Sequence, residues 1–64
     1  MARFKEVELK RHGCVSLVSR MHPDDTLFDY VVYVNVDGKS YSYGFGDAYD
    51  IALKTYDEQV SDLG

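Results

Sequence analysis

The sequence predicts an α+β domain, in which a four-stranded antiparallel meander is packed on one face by a C-terminal amphipathic helix (ββββα). Two observations lead to this fold class. In the first two thirds of the chain, apolar and polar residues alternate in short runs separated by turn residues, which is typical of half-buried strands. From residue 47 onward, the apolar period lengthens to about 3.6, which is typical of a helix that packs by one side.

The first two strands are predicted from an alternation that repeats on both sides of a glycine-containing turn. A two-residue turn would split the apolar residues across both faces of the hairpin. A three-residue loop with Gly13 in the left-handed conformation keeps them together. It pairs Leu9 with Val15 and Val7 with Leu17. We therefore expect the three-residue loop.

The second hairpin is predicted from its Asp37-Gly38 turn, because this dipeptide between alternating runs favours a two-residue type I′ turn. The register that follows collects the large apolar pairs on one face: Val34 with Tyr41, Val32 with Tyr43, and Tyr30 with Phe45. The other face collects Tyr33 with Ser42 and Val31 with Gly44. The polar segment 22–26 is long enough for the second and third strands to pair, so a meander results.

A single helix is predicted over residues 47 to 62, with Asp47 capping its first turn. Its apolar stripe consists of Tyr49, Leu53, Tyr56, Val60 and Leu63. Ile51 lies roughly 160° to 180° from the centre of that stripe. We therefore expect Leu53 to be buried and Ile51 to be exposed as part of a contact surface.

Length and cysteine content predict one small domain, residues 1–64, in a reducing compartment. A domain of this size buries only about 60% of the surface of its unfolded chain, so its stability should be marginal. Cys14 is the only cysteine, which excludes an internal disulfide. The sequence shows neither a signal peptide nor an apolar stretch of membrane-spanning length. We expect a cytoplasmic protein without a membrane partner.

Charge is distributed unevenly along the chain. Five basic and two acidic residues give residues 1–20 a net charge of +3. One basic and four acidic residues give residues 21–46 a charge of −3, and one basic and five acidic residues give residues 47–64 a charge of −4. The basic residues of the first hairpin, near Phe4, are Arg3, Lys5, Lys10, Arg11 and Arg20. They suggest nucleic-acid binding as an alternative function, which the overall charge of −4 disfavours.

Three candidate chemical sites are too incomplete to predict catalysis, a metal or a cofactor. His12 and Cys14 could meet across a turn, but nothing there excludes water or forms an oxyanion site. The segment 22–26 offers His22, Asp24 and Asp25, which are too few ligands for a good metal site. The segment 44–46 has the glycines of a phosphate loop but neither its spacing nor its lysine. We expect a protein that is not an enzyme.

Protein binding is the function that we expect instead. One helix leaves the opposite face of the sheet open, and that face would carry Val31 and Tyr33, together with Val18 and Phe4. The outer face of the helix would carry Asp50 and Asp57 beside Ile51 and could engage a basic groove of a host protein. Marginal stability and the open face also predict a homodimer, formed through that face or through an edge strand.

In general appearance the chain resembles the small accessory proteins of bacteriophages, including anti-CRISPR proteins and inhibitors of host proteins. The resemblance rests on size, acidity, tyrosine content and a strand-rich body followed by the segment Asp47-Ala48-Tyr49-Asp50-Ile51-Ala52-Leu53-Lys54-Thr55-Tyr56 as a terminal helix. It implies a stoichiometric binder of a host protein. It assigns no role to any residue.

Overall fold

The computed structural model describes residues 5–63 and contains four antiparallel strands in one open sheet, followed by a helix. The elements are β1 (Lys5–His12), β2 (Val15–Met21), β3 (Leu27–Val36), β4 (Lys39–Gly44) and α1 (Tyr49–Leu63). Each strand pairs with its neighbour in sequence, in the order β1-β2-β3-β4. The predicted ββββα meander is confirmed. Arg3 and Phe4, named above as parts of binding surfaces, lie outside the described residues.

The second hairpin forms in the predicted register. Asp37 and Gly38 have φ values of 52° and 77°, and two successive positive φ values define the type I′ turn. All of the predicted pairs within β3 and β4 are present: Val34 with Tyr41, Val32 with Tyr43, Tyr33 with Ser42 and Val31 with Gly44. Beyond the end of β4, the N–H of Phe45 donates to the carbonyl of Tyr30 at 3.0 Å.

The predicted register of the first hairpin is wrong. The turn consists of Gly13 and Cys14, so that His12 lies opposite Val15. Gly13 has a φ of 60°, and a glycine with positive φ at the first central position is the requirement of a type II′ turn. The register then shifts between Glu8 and Lys10, which leaves the intervening Leu9 as a β-bulge rather than opposite Val15. Because β1 is exposed along its whole length, core burial does not select its register.

The core lies between α1 and the two central strands. It consists of Val15, Leu17, Val32 and Val34 from the sheet and Ala52 and Tyr56 from the helix. The helix packs against β2 and β3, whereas every residue of β1 and β4 is exposed. A helix is about 10 Å wide and strands are about 4.8 Å apart, so one helix covers about two strands.

The helix is rotated and shifted relative to the prediction. Its buried residues are Ala52 and Tyr56, whereas Leu53 is only half-buried at the margin of the core. Ala52 is completely buried, so alanine rather than leucine lies at the centre of the contact between the helix and the sheet. The carbonyl of Ala48 accepts the first helical hydrogen bond, from Ala52 at 3.1 Å, so Ala48 rather than Asp47 occupies the N-cap position.

Candidate functional site

The open face of the sheet carries Val31 and Tyr33, as predicted, but in the described residues neither side chain is a free apolar contact. Val31 is only 2% exposed. The hydroxyl of Tyr33 donates to Oε2 of Glu6 at 2.7 Å. This link joins β3 to β1 and therefore crosses β2, where Val18 is buried. Val31 cannot supply contact area to a partner, and the polar end of Tyr33 is engaged within the chain.

A forked ion pair occupies the same open face. Arg20 donates through Nε to Oδ1 of Asp29 at 2.7 Å and through Nη2 to Oδ2 at 2.5 Å, in the bidentate geometry that favours such pairs. The hydrogen bond to Asp29 raises the pKa of Arg20. The guanidinium also lies 5.1 Å from the centre of the Phe28 ring, at cation–π distance. This cluster ties β2 to β3 and leaves the Arg20 charge compensated.

Two further basic residues of the first hairpin, Lys5 and Arg11, also lie beside carboxylates of the chain. Lys5 donates to Asp25 at 2.7 Å, and Nε of Arg11 lies 3.7 Å from Oε1 of Glu8. Contacts to a phosphate backbone would have to replace these pairs. The surface that favoured nucleic-acid binding is therefore less positive than its sequence indicates.

In the segment 22–26, considered above as a metal site, both carboxylates accept hydrogen bonds from groups of the same chain. Oδ1 of Asp24 accepts the N–H of Thr26 at 3.1 Å, and hydrogen bonding from Thr26 lowers the pKa of Asp24. Asp25 is the acceptor of Lys5. Within residues 5–63, no group of three or more His, Cys, Asp or Glu side chains is arranged to hold a metal ion.

The two remaining candidate sites, Cys14 and the segment 44–46, use their backbone groups in hydrogen bonds within the chain. Cys14 is half-buried and packs against the core, and its carbonyl accepts the N–H of Asn35 at 3.0 Å. In the glycine-containing turn before the helix, the N–H of Ala48 donates to the carbonyl of Phe45 at 3.1 Å. That donor points back into the turn and is not available to a phosphate.

The outer face of α1 brings the predicted helix residues together. Asp50 and Asp57 are exposed there and line a shallow groove. The other lining residues are Leu53, Lys54, Glu58 and Ser61. Ile51 stands beside it and is 57% exposed, which confirms its predicted exposure. Among residues 5–63, the ion pairs involve no carboxylate of α1.

A second surface, on the helix side of β4, was missed by the sequence reasoning. Tyr41 is 45% exposed and Tyr43 is 41% exposed, although both were expected to be covered by the helix. Their exposure could have been predicted from dimensions alone, because one helix is too narrow to cover four strands and leaves the edge strands uncovered. The tyrosines are large side chains with few torsions, of the kind that anchors protein interfaces.

Comparisons with protein-family models, with curated proteins and with solved structures found no match for this chain. The helix of the described region is neither long nor apolar enough to cross a membrane.

Proposed function

We propose that the protein is a non-enzymatic binding protein that docks stoichiometrically on another protein through the outer face of α1 and thereby regulates or inhibits it. The observation that carries the proposal is uncompensated negative charge beside exposed apolar surface on one face of the helix. The proposal includes a cytoplasmic location and, from the resemblance, a phage origin with a host protein as target.

Charge supports a basic partner surface. The helix has one basic residue, Lys54, and four acidic ones, which gives it a net charge of −3. The acidic residues are Asp50, Asp57, Glu58 and Asp62. Elsewhere in the described residues, the carboxylates of Glu8, Asp25 and Asp29 lie in ion pairs within the chain. The four carboxylates of α1 are in none of these pairs, and together on one helix they can attract a positively charged groove, such as one that binds nucleic acid in the partner.

Apolar surface beside the charge supports a docking interface rather than a merely solvated helix. Ile51 is 57% exposed, and the half-buried Leu53 adds apolar area on the opposite side of the groove. Protein interfaces typically have an apolar centre within a polar rim, and most of their binding energy comes from a few central side chains. We assign Ile51 as the apolar anchor and Asp50 and Asp57, which line the groove between Ile51 and Leu53, as the charged contacts.

A capture experiment from host lysate tests this assignment. The tagged chain should retain a protein in a one-to-one ratio, and added salt should weaken the complex. Ile51→Ala should weaken it about tenfold, as expected for truncation of one anchoring apolar side chain, and Asp57→Lys should weaken it more than Ile51→Ala does. Both variants should keep the free energy of unfolding within about 0.5 kcal/mol of the original, because both side chains are exposed.

Two matched variants on β1 serve as controls. Val7→Ala removes a similarly exposed apolar side chain, and Glu8→Lys makes the same change of charge away from the helix. Neither should affect retention. Retention that is unchanged by the helix variants would contradict the proposal. Retention of nucleic acid that disappears with Lys10→Ala and Arg11→Ala would instead support the alternative function.

A further inference from the structure

The backbone of β4 presents hydrogen-bonding groups at the edge of the sheet. A two-residue turn closes on a hydrogen-bonded pair, here Val36 and Lys39, and such pairs recur at every second residue of an antiparallel ladder. Phe45 continues this series, because its N–H donates to Tyr30 at 3.0 Å. The residues between these positions therefore direct their N–H and C=O groups away from β3. They are Ser40, Ser42 and Gly44.

Nothing in the chemistry of β4 protects this edge. Natural edge strands are usually blocked by charges, proline or a bulge. In β4 the only charged residue is Lys39, at its first position, proline is absent, and the pairing with β3 runs without a shift of register. The outward backbone groups belong to serines and a glycine, whose small side chains leave them accessible. An edge of this kind is suited to pairing with another strand.

The sequence of β4 is complementary to itself about Ser42. An antiparallel pair centred there places Ser42 opposite its own copy, Ser40 opposite Gly44, and Tyr41 opposite Tyr43. Each outward N–H and C=O then meets a partner. The Tyr41–Tyr43 pairs fall at the non-hydrogen-bonded positions, where Cα atoms are only about 4.5 Å apart and aromatic side chains interact well. The two Lys39 residues lie at opposite ends of the ladder, so no like charges oppose each other.

We propose that two copies of the chain associate by antiparallel pairing of β4 with β4 about a two-fold axis at Ser42, which forms a continuous eight-stranded sheet. The exposed tyrosines of each copy pack beside the axis on the helix side of the sheet. One short strand and its tyrosines form a small interface, within the range below about 1,200 Å² that is typical of transient complexes. We therefore expect a reversible dimer, populated at high protein concentration.

This pairing is independent of the function proposed for α1 and responds oppositely to salt. Each copy carries a net charge of −4, so the two copies repel each other. Added salt screens this repulsion and should strengthen the dimer, whereas it should weaken docking of the acidic helix on a basic partner. Failure of one proposal is therefore distinguishable from failure of the other.

The introduction of charges at the two-fold axis tests the proposal. Sedimentation equilibrium at about 0.5 mM, suited to transient complexes, should show the original chain between its monomer mass of 7.3 kDa and twice that mass. Ser42→Lys and Ser42→Glu each place like charges opposite each other across the axis and should each weaken dimerisation at least tenfold. An equimolar mixture of the two variants should restore it, because opposite charges then meet. Ser61→Lys, on the outer face of the helix, is the control and should leave the dimer intact.

Ser42 is exposed in β4, so both substitutions are compatible with the fold. Circular dichroism should confirm that each variant is folded before its mass is measured by sedimentation equilibrium. A purely monomeric original chain under these conditions would overturn the proposal. A dimer that persists in both Ser42 variants would also overturn it, as would a mixture that associates no better than either variant alone.

Discussion

The two edge strands of the sheet are equally exposed but differ in chemistry. β1 carries charges along most of its length, contains a β-bulge at Leu9, and uses Lys5, Glu6 and Glu8 in contacts within the chain. β4 carries tyrosines on one face and serines with a glycine on the other, and it pairs with β3 without interruption. Exposure alone therefore does not determine what an edge can do. Charges and a bulge are the features by which natural edge strands avoid pairing with other chains, and β4 has no bulge and only one charged residue, Lys39.

Two basic residues of β1 form ion pairs within the chain, Lys5 with Asp25 and Arg11 with Glu8. Both pairs are solvent-exposed, and exposed pairs stabilise a fold by only about 0 to 1 kcal/mol each. Their main effect is on what the edge presents to other molecules. Among residues 5–63, the surfaces that we propose for partners are the outer face of α1 and the edge of β4.

The largest expected effect separates the edges from the centre of the sheet. Leu17→Ala should cost about 2 to 5 kcal/mol of unfolding free energy, because Leu17 is completely buried between sheet and helix. Leu9→Ala should cost less than about 1 kcal/mol, since Leu9 is 42% exposed on the bulge of β1. Urea unfolding followed by circular dichroism measures both. Equal costs would show that β1 packs into the core and is not a free edge.

The fold was predictable from sequence wherever a local signal and burial agreed. The Asp37-Gly38 turn determined one register, and alternating residues in β3 placed the core residues Val32 and Val34 on the correct face. The first hairpin was not predictable in the same way. Its alternation suggested a buried face, but β1 is exposed on both faces, so the turn chemistry of Gly13 and the bulge decided the register.

The candidate surfaces were only partly predictable. The exposure of Ile51 followed from helical periodicity, which is a local property. The burial of Val31 did not follow from periodicity, because alternation in a strand predicts the face on which a residue lies but not what covers that face. The rotation of α1 toward Ala52 depends on how closely a helix approaches a sheet, and periodicity does not contain that information.

A smaller loss of unfolding free energy is expected when the hydrogen bond between Tyr33 and Glu6, which joins β1 to β3, is removed. Burial, followed by the hydrogen bond to Glu6, raises the pKa of Tyr33 above its ordinary value of about 10. A raised pKa in the folded state means that the stabilisation is fully present below about pH 10 and is lost as the pH rises through the folded-state value. Tyr33→Phe should therefore cost about 0.5 to 1.5 kcal/mol at neutral pH and progressively less in alkaline solution.

Urea unfolding of both proteins across this pH range measures the difference, and Tyr41→Phe is the control, because Tyr41 is exposed and should cost little at any pH. A difference between the original chain and Tyr33→Phe that stays constant into alkaline solution would show that the hydroxyl of Tyr33 does not join β1 to β3.

The contrast between the edges is tested most directly by amide hydrogen exchange at low and high protein concentration, from about 20 µM to about 2 mM, a range that spans transient association. The amides of Ser40, Ser42 and Gly44 should become more protected as concentration rises. The amide of Arg11 should not, because it lies one residue from the hydrogen-bonded pair His12–Val15 and so points away from β2 at the other edge. Protection that rises at Arg11 instead, or at neither edge, would contradict the claim that β4 is the associating edge.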